Sequence, residues 1–279
     1  LYADGLLKKI PMHSYIPPER FFPYLTWEAV KALPDKANTL IIQPVGTVEQ
    51  HGPHLPLVVD SAITVAVVGR ALSQLDADVP AYALPPICYG KSNEHTEYPG
   101  TITLSASTLS SVLIEVATSL YNAGFRKLLL VNGHGGQPQV LEIVARDLHD
   151  RYADFLIFPL FIWNAPHDVS AIVGEVEYEQ GIHAGDTETS VMLELLPDQV
   201  NMERAVREFP KVFEADSLLS LEGQIPVSWV MKDLSASGVV GDATVATAEK
   251  GKAILASVAA GWVEVFEEIY RFEGLRPKF

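Results

Sequence analysis

Three apolar runs divide the first half of the chain. Thr39-Leu-Ile-Ile, within a stretch of about residues 38–45, Val79 to Ile87, and Lys127-Leu-Leu-Leu-Val131 are continuous rather than alternating. That pattern predicts strands buried on both faces. Phe155 to Trp163 reads as a fourth strand. Between them the apolar positions change period. Ala62 to Leu75 predicts a helix, as do Leu109, Val112, Leu113, Val116 and Leu120, with Ser105 or Ser107 as N-cap and Gly124 as C-terminal cap. Val140 to Leu148 is helical in spacing, as is the segment that carries Val191, Leu195 and Leu196 and stops at Pro197. A final helix over about Thr247 to Phe272 places Ile254, Val258, Trp262, Val265, Phe266 and Ile269 on one face.

Alternating strands and helices argue for an α/β fold with a parallel sheet and helices on both faces. No linker, repeat or low-complexity segment interrupts residues 1–279, so a single domain is expected. Residues 1–25, with Pro11, Pro17, Pro18 and Pro23, read as an extended arm lying over a surface, that of a neighbouring subunit included. Thr26 caps a short helix, the pattern loosens after Asn164, and residues 201–240 read as irregular and surface-hugging.

The loops after the first three strands are where such a fold places its ligands. The first carries Glu49, His51, His54 and Asp60 among glycine and prolines, the second Glu94 and His95, and the third Asn132-Gly-His134-Gly-Gly136. Glu49 and His51 are two apart, so in extended chain both leave on one side. Asp60 stands at or just before the first turn of a helix, and the sheet should bring His134 next to the first loop. Carboxylate and imidazole without thiolate suit zinc, manganese or iron(II). Two divalent ions suit the residues better than one, because a carboxylate can bridge a pair roughly 3.5 Å apart. Three carboxylates, Glu49, Asp60 and Glu188, with one hydroxide would neutralise them. His54 reads as a turn residue or a support behind the ligands, His149 and His167 as surface residues, and Glu188 taken alone as an electrostatic support for a helix start.

Composition narrows the partners. Twenty basic against 35 acidic residues give a net charge of −15, which repels phosphate backbones and argues against nucleic acid. Cys88, the one cysteine, excludes an intrachain disulfide and reads as a small core residue. No apolar segment approaches a membrane span and no signal pattern opens the chain, so a cytoplasmic enzyme acting on a small molecule is expected. Three other readings compete: a metal-stabilised scaffold without catalysis, a serine hydrolase using Ser190, and a nucleotide-binding module. The last two lack a nucleophile elbow, a P-loop and a dinucleotide fingerprint.

Pro44-Val-Gly-Thr-Val-Glu49-Gln-His51-Gly-Pro-His54-Leu-Pro with Asp60, then Asn132-Gly-His134-Gly-Gly136, then His183-Ala-Gly-Asp-Thr-Glu188-Thr-Ser190, resembles the creatininase (creatinine amidohydrolase) family. Glu94-His95 with Pro99-Gly100-Thr101, and Gly241 to Gly251, add to the resemblance. It implies a three-layer α/β/α sandwich with a mostly parallel sheet, a dinuclear metal centre and a homohexamer. Carried over by residue, Glu49 and His134 match the ligands of one metal, His51 a ligand of the other, and Asp60 the bridge. His183 and Glu188 match the pair that handles protons around the scissile C–N bond. Trp163 matches a family tryptophan, and His95 is expected to touch substrate. Creatininases proper carry a ligating glutamate where this chain has Gly136, so Glu188 either supplies that ligand, leaving the proton to His183, or shuttles the proton itself; the sequence leaves both open. They also carry a tryptophan just ahead of the second histidine motif, where this chain reads Tyr178-Glu-Gln-Gly-Ile. Hydrolysis of a small cyclic amide or formamide is therefore expected. The family's formamidopyrimidine deformylases and cofactor-maturation peptidases are the alternatives.

Overall fold

The computed structural model describes residues 13–214 and 217–275. Its centre is a sheet of four parallel strands in the order β2-β1-β3-β4: β1 Leu40–Val45, β2 Ala81–Ala83, β3 Lys127–Asn132 and β4 Leu156–Phe161. Every residue of β1 and β3 is buried, because helices cover both faces. Side chains alternate between the two layers. Leu40, Ile42, Leu129 and Val131 pack with α2 (Val59–Gln74), α7 (Asp186–Leu195) and α9 (Ala248–Arg271). Ile41, Leu128 and Leu130 face α3 (Ala106–Asn122) and α4 (Pro138–Arg151). The sequence-expected three-layer α/β sandwich is the architecture observed.

The remaining elements frame this core. The helix α1 (Trp27–Ala32) has Thr26 as its N-cap, accepting the Ala29 N–H at 3.1 Å. Gly124 adopts φ +102° just beyond α3, the left-handed conformation its position required. In α9 the buried stripe contains Ile254, Val258, Trp262, Phe266 and Ile269, each worth about 1.5–3 kcal/mol of burial.

Several expectations are corrected. The second strand is shorter than Val79–Ile87, since Pro85 and Pro86 have no N–H to donate. Pairing with β1 resumes only at an isolated bridge between Val45 and Ile87. Two short helices, α5 (Val169–Val173) and α6 (Glu175–Gln180), occupy the stretch after Asn164 where the pattern loosens. Residues 201–240 are not uniformly superficial. They contain β5 (Arg207–Glu208), paired antiparallel with β6 (Gly241–Asp242), and α8 (Met231–Leu234), and Met231, Val239 and Val240 are fully buried. Cys88 is half-buried in the loop after β2, outside the core.

Of the N-terminal arm, residues 1–12 lie outside the described residues. The rest packs on this chain's own body. Ile16 and Phe21 are buried in the core that contains α2, and Arg20 donates to the carbonyls of Val79 (2.7 Å) and Asp76 (2.9 Å). Among the described residues no helix is long and apolar enough to cross a membrane.

Register sets the site. Val45 lies beside Asn132 at the C-terminal ends of β1 and β3, and the Gly133 N–H donates to the Val45 carbonyl at 2.8 Å. The loops that follow, with Glu49, His51 and His134, therefore leave the sheet side by side.

Candidate metal centre

Three loops and two helix starts converge beyond the end of β1 and β3. The first loop supplies Glu49 and His51, both fully buried. Asp60 sits in the first turn of α2, fixed by a 2.5 Å bond from the Thr47 hydroxyl to Oδ2. His134 comes from the loop after β3. Its backbone N–H donates to Asn132 Oδ1 (3.0 Å) while Asn132 Nδ2 donates to the His134 carbonyl (2.8 Å). Glu188 stands in the first turn of α7, with Oε2 accepting the Ala184 N–H at 2.7 Å.

The distances are those of a single cluster. His51 Nε2 lies 3.1 Å from Asp60 Oδ1, and His134 Nδ1 lies 3.2 Å from both Glu49 Oε1 and Asp60 Oδ2. Among the described residues three groups bring their donor atoms within 4.8 Å of one another: Glu49, His51 and His183; Glu49, Asp60 and His134; and His51, Asp60 and Glu188. Glu49, His51 and Asp60 each belong to two of them. The expected residues are thus brought together.

Charge explains why such a cluster wants cations. Burial alone would lower the His51 pKa, but Asp60, Glu188 and Glu49 raise it to about 9. His134 is likewise raised well above its ordinary value, against burial, by Glu49, Asp60 and Glu94. Burial, with Asp60 and Glu49 nearby, lifts Glu188 to about 7 against the pull of His51. Both Glu49 oxygens are buried without a hydrogen-bond partner. A buried acceptor left so is costly unless something electropositive meets it. The carboxylate and imidazole set therefore fits divalent metal ions.

Around this floor lie side chains of other kinds. His183 stacks between His51 and His95, with ring centroids 4.2 and 4.4 Å away. Its Nε2 lies 2.8 Å from the Gln50 carbonyl, which can only accept, so Nε2 carries the proton and Nδ1 keeps its lone pair. Burial, with His51 and His95 close by, pulls its pKa well below the ordinary value, so the ring is neutral. His95 is buried and its Nε2 lies 3.5 Å from Glu49 Oε1. Trp163 is half-buried in the wall of a cavity of about 270 Å³, together with Phe161, His167, Tyr178, His183 and Glu188. A second cavity of about 400 Å³, lined by Lys91, Glu94, His95, His183 and Trp229 among others, meets the first at His134, Gly135, Ile182, His183 and Glu222.

Sequence reasoning missed four participants. Gln50 bonds His95 Nδ1 at 2.8 Å and the Gly238 carbonyl at 3.2 Å, and nothing in its spacing announces that. Glu177 accepts the backbone N–H groups of Asp186 (2.7 Å) and Asp242 (2.8 Å), which fixes the loop that carries His183. Glu222 comes from the segment read as surface-hugging, and His167, read as a surface residue, lines the first cavity. His54 is the buried support expected, with Nε2 2.8 Å from Thr189 Oγ1. Ser190 is no exposed nucleophile: buried, it donates to Asp186 (2.8 Å) and accepts from the Thr247 N–H (3.1 Å).

Comparison with known proteins agrees with this picture. A family model described as creatininase, creatinine amidohydrolase, matches residues 23–266. A mycofactocin precursor peptide peptidase of Mycolicibacterium smegmatis is 33% identical over 224 residues, 80% of this chain and 82% of that one. A creatinine amidohydrolase of Pseudomonas putida is 30% identical over 267 residues, 89% of this chain and 96% of that one. A manganese form of creatininase superposes with TM-score 0.74 at 28% identity, over 90% of this chain and 99% of that one. A mutant creatininase of Zn-Zn type is similar too, at TM-score 0.70 and 28% identity, over 90% and 98%.

Proposed function

Because this chain belongs to the creatinine amidohydrolase family, we propose that it hydrolyses an amide-type C–N bond of a small polar molecule, a cyclic amide or formamide, with two divalent metal ions. The observation that carries this is the buried cluster of carboxylates and imidazoles in which neither Glu49 oxygen has a hydrogen-bond partner, beside an aromatic-walled cavity that Asp60, His134 and Glu188 line. Glu49, Asp60 and His134 would hold one ion; His51, Asp60 and Glu188 the other. Zinc, manganese or iron(II) bound there would polarise a carbonyl and would lower the pKa of water from about 15.7 toward 7.

The chain's own residues do the rest. Phe161, Trp163 and Tyr178 offer apolar faces that hold a flat substrate and exclude water. Neutral His183, with its Nδ1 lone pair, takes a proton and returns it to the leaving nitrogen. Gln50 fixes the ring of His183 through its carbonyl and that of His95 through its side chain. Glu188 serves as a ligand in this reading, which leaves the proton to His183. His95, lining the second cavity, contacts the substrate from the other side.

The second cavity favours a second reading, in which the substrate is an open-chain amide with a substituent on each side of the scissile bond. The metal-stabilised scaffold makes the opposite forecast: ions without turnover. Protein purified without chelators is assayed for metal, stripped, reloaded with zinc, manganese or iron(II), and offered cyclic amides, formamides and short peptides. Fewer than about one tightly held ion per chain would remove the mechanism. Assembly into a homo-oligomer belongs to the same proposal and is read by light scattering.

A further inference from the structure

His134 presents its two ring nitrogens to two different carboxylate environments. Nδ1 faces Glu49 and Asp60 at 3.2 Å each, while Nε2 lies 2.8 Å from Glu94 Oε1. Glu94 is contributed by a separate segment, the short 3-10 turn Asn93–His95, and is itself buried. It belongs to none of the three groups whose donor atoms converge. From this geometry we infer that Glu94 is the positioning residue of His134: its carboxylate holds the imidazole in the orientation and tautomer that turn the Nδ1 lone pair toward the cation pocket between Glu49 and Asp60.

The chemistry follows from what each atom can do. An ionised carboxylate only accepts, so a bond to Nε2 requires the proton there, and neutral His134 then carries its lone pair on Nδ1. A carboxylate behind a ligating histidine fixes ring orientation and raises ligand basicity. Lys91 Nζ lies 3.9 Å from Glu94 Oε2. The backbone of His134 is already clamped by Asn132, whose Oδ1 also accepts from Gln137 Nε2 at 2.9 Å. What Glu94 adds is therefore the orientation of the ring.

Gly136 makes room for this arrangement. A Cβ at position 136 would overlap the Glu94 carboxylate and come within 2.5 Å of His134 Nε2. The glycine is required by the space the carboxylate fills, since its backbone is not in the left-handed region. Glu94 and Gly136 thus act as one device.

The inference rests on the metal-dependent reading, and one experiment separates the two. Wild type, E94Q, E94A, G136A and the G136A/E94A double variant are stripped with a chelator. Their zinc affinity is then measured by competition with a chromophoric chelator, and the melting temperature of each metal-free protein is recorded. E94A weakens zinc binding on the order of 10–100-fold, whereas E94Q, whose amide oxygen still accepts from Nε2, stays within a few-fold of wild type. G136A, which keeps the glutamate but displaces its carboxylate, matches E94A and carries the test if E94A does not fold. The double variant is no weaker than either single one, because both remove the same contact. Wild-type zinc affinity in E94A or G136A, or additive losses in the double variant, overturns the role of Glu94 while leaving the metal reading intact. Failure of the stripped wild type to bind zinc removes both.

Discussion

Glu49 and His134 lie 3.2 Å apart although 85 residues of chain separate them, and the oxygen that faces the ring has no hydrogen-bond partner. Such a pair is stable when a shared cation satisfies both, and much less so without one. Metal removal should therefore destabilise the native state. Ion at a thousandfold excess over its Kd stabilises by about 4 kcal/mol. Calorimetry of the reloaded and the chelator-stripped protein should differ by roughly 8–16 °C in Tm. Equal melting temperatures would count against a buried cluster.

Much of the site was legible because its chemistry is local in sequence. Glu49 and His51 share a loop, the continuous apolar runs forecast a parallel sheet, and a parallel sheet places its polar loops at one end. What was not legible is set by packing between distant segments. Glu94 bonds His134 and Gln50 bonds His95 across 40 and 45 residues, and neither has a periodicity to betray it. The five- and six-residue helices α5 and α6 are too short to show a face. Pro85 and Pro86 end β2 by removing donors, which an apolar count does not register.

Trp163 and Trp229 line different cavities, and together they distinguish the two substrate readings. Loss of an aromatic contact costs about 1–2 kcal/mol, or roughly 5–30-fold in affinity. W163A should raise KM by that factor on any substrate that is turned over. W229A should do so only for an open-chain amide that fills both cavities. Steady-state kinetics of both variants on one cyclic and one open-chain substrate decides between them.

Gly251 lets α9 approach α7, the helix that carries Glu188. A Cβ there would overlap the Ser190 carbonyl oxygen and come within 2.9 Å of the Val191 nitrogen, both of them backbone. Backbone cannot swing aside as a side chain can, so one helix must shift. G251A should destabilise by about 1–3 kcal/mol despite the better helix propensity of alanine. Urea titration measures the change. A stabilised variant would show that the crossing tolerates a methyl group.

His54 links acid to unfolding. Burial first, and then the nearby charge of His51, depresses its pKa to about 4 from an ordinary 6.5. The folded state therefore prefers the neutral ring. Its contribution is complete above about pH 6.5 and is lost as the pH falls toward 4. The difference between wild type and H54Q, on the order of 1–3 kcal/mol at pH 7, should shrink steadily across that interval. Denaturation curves at pH 7, 5.5 and 4 test it, and a constant difference would place the acid sensitivity elsewhere.

Glu188 separates function from stability. Its carboxylate is recessed beside Asp60 and Glu49, and burial with their charges raises its pKa to about 7 from 4.5, against His51. In the metal-free protein, ionising it costs stability. That cost is absent below about pH 4.5, where the group is protonated in both states, and it grows as the pH rises to 7, beyond which it is complete. E188Q keeps an oxygen to accept the Ala184 N–H but carries no charge. Stripped of metal at pH 8, it should be more stable than wild type by about 1–3 kcal/mol. With metal supplied the order reverses: wild type gains a ligand, the variant does not, and hydrolysis should fall by at least about 10–100-fold. Two denaturation curves and one activity assay check it. A variant destabilised in the metal-free state at pH 8 would mean that Glu188 is a support for the start of α7 before it is anything else.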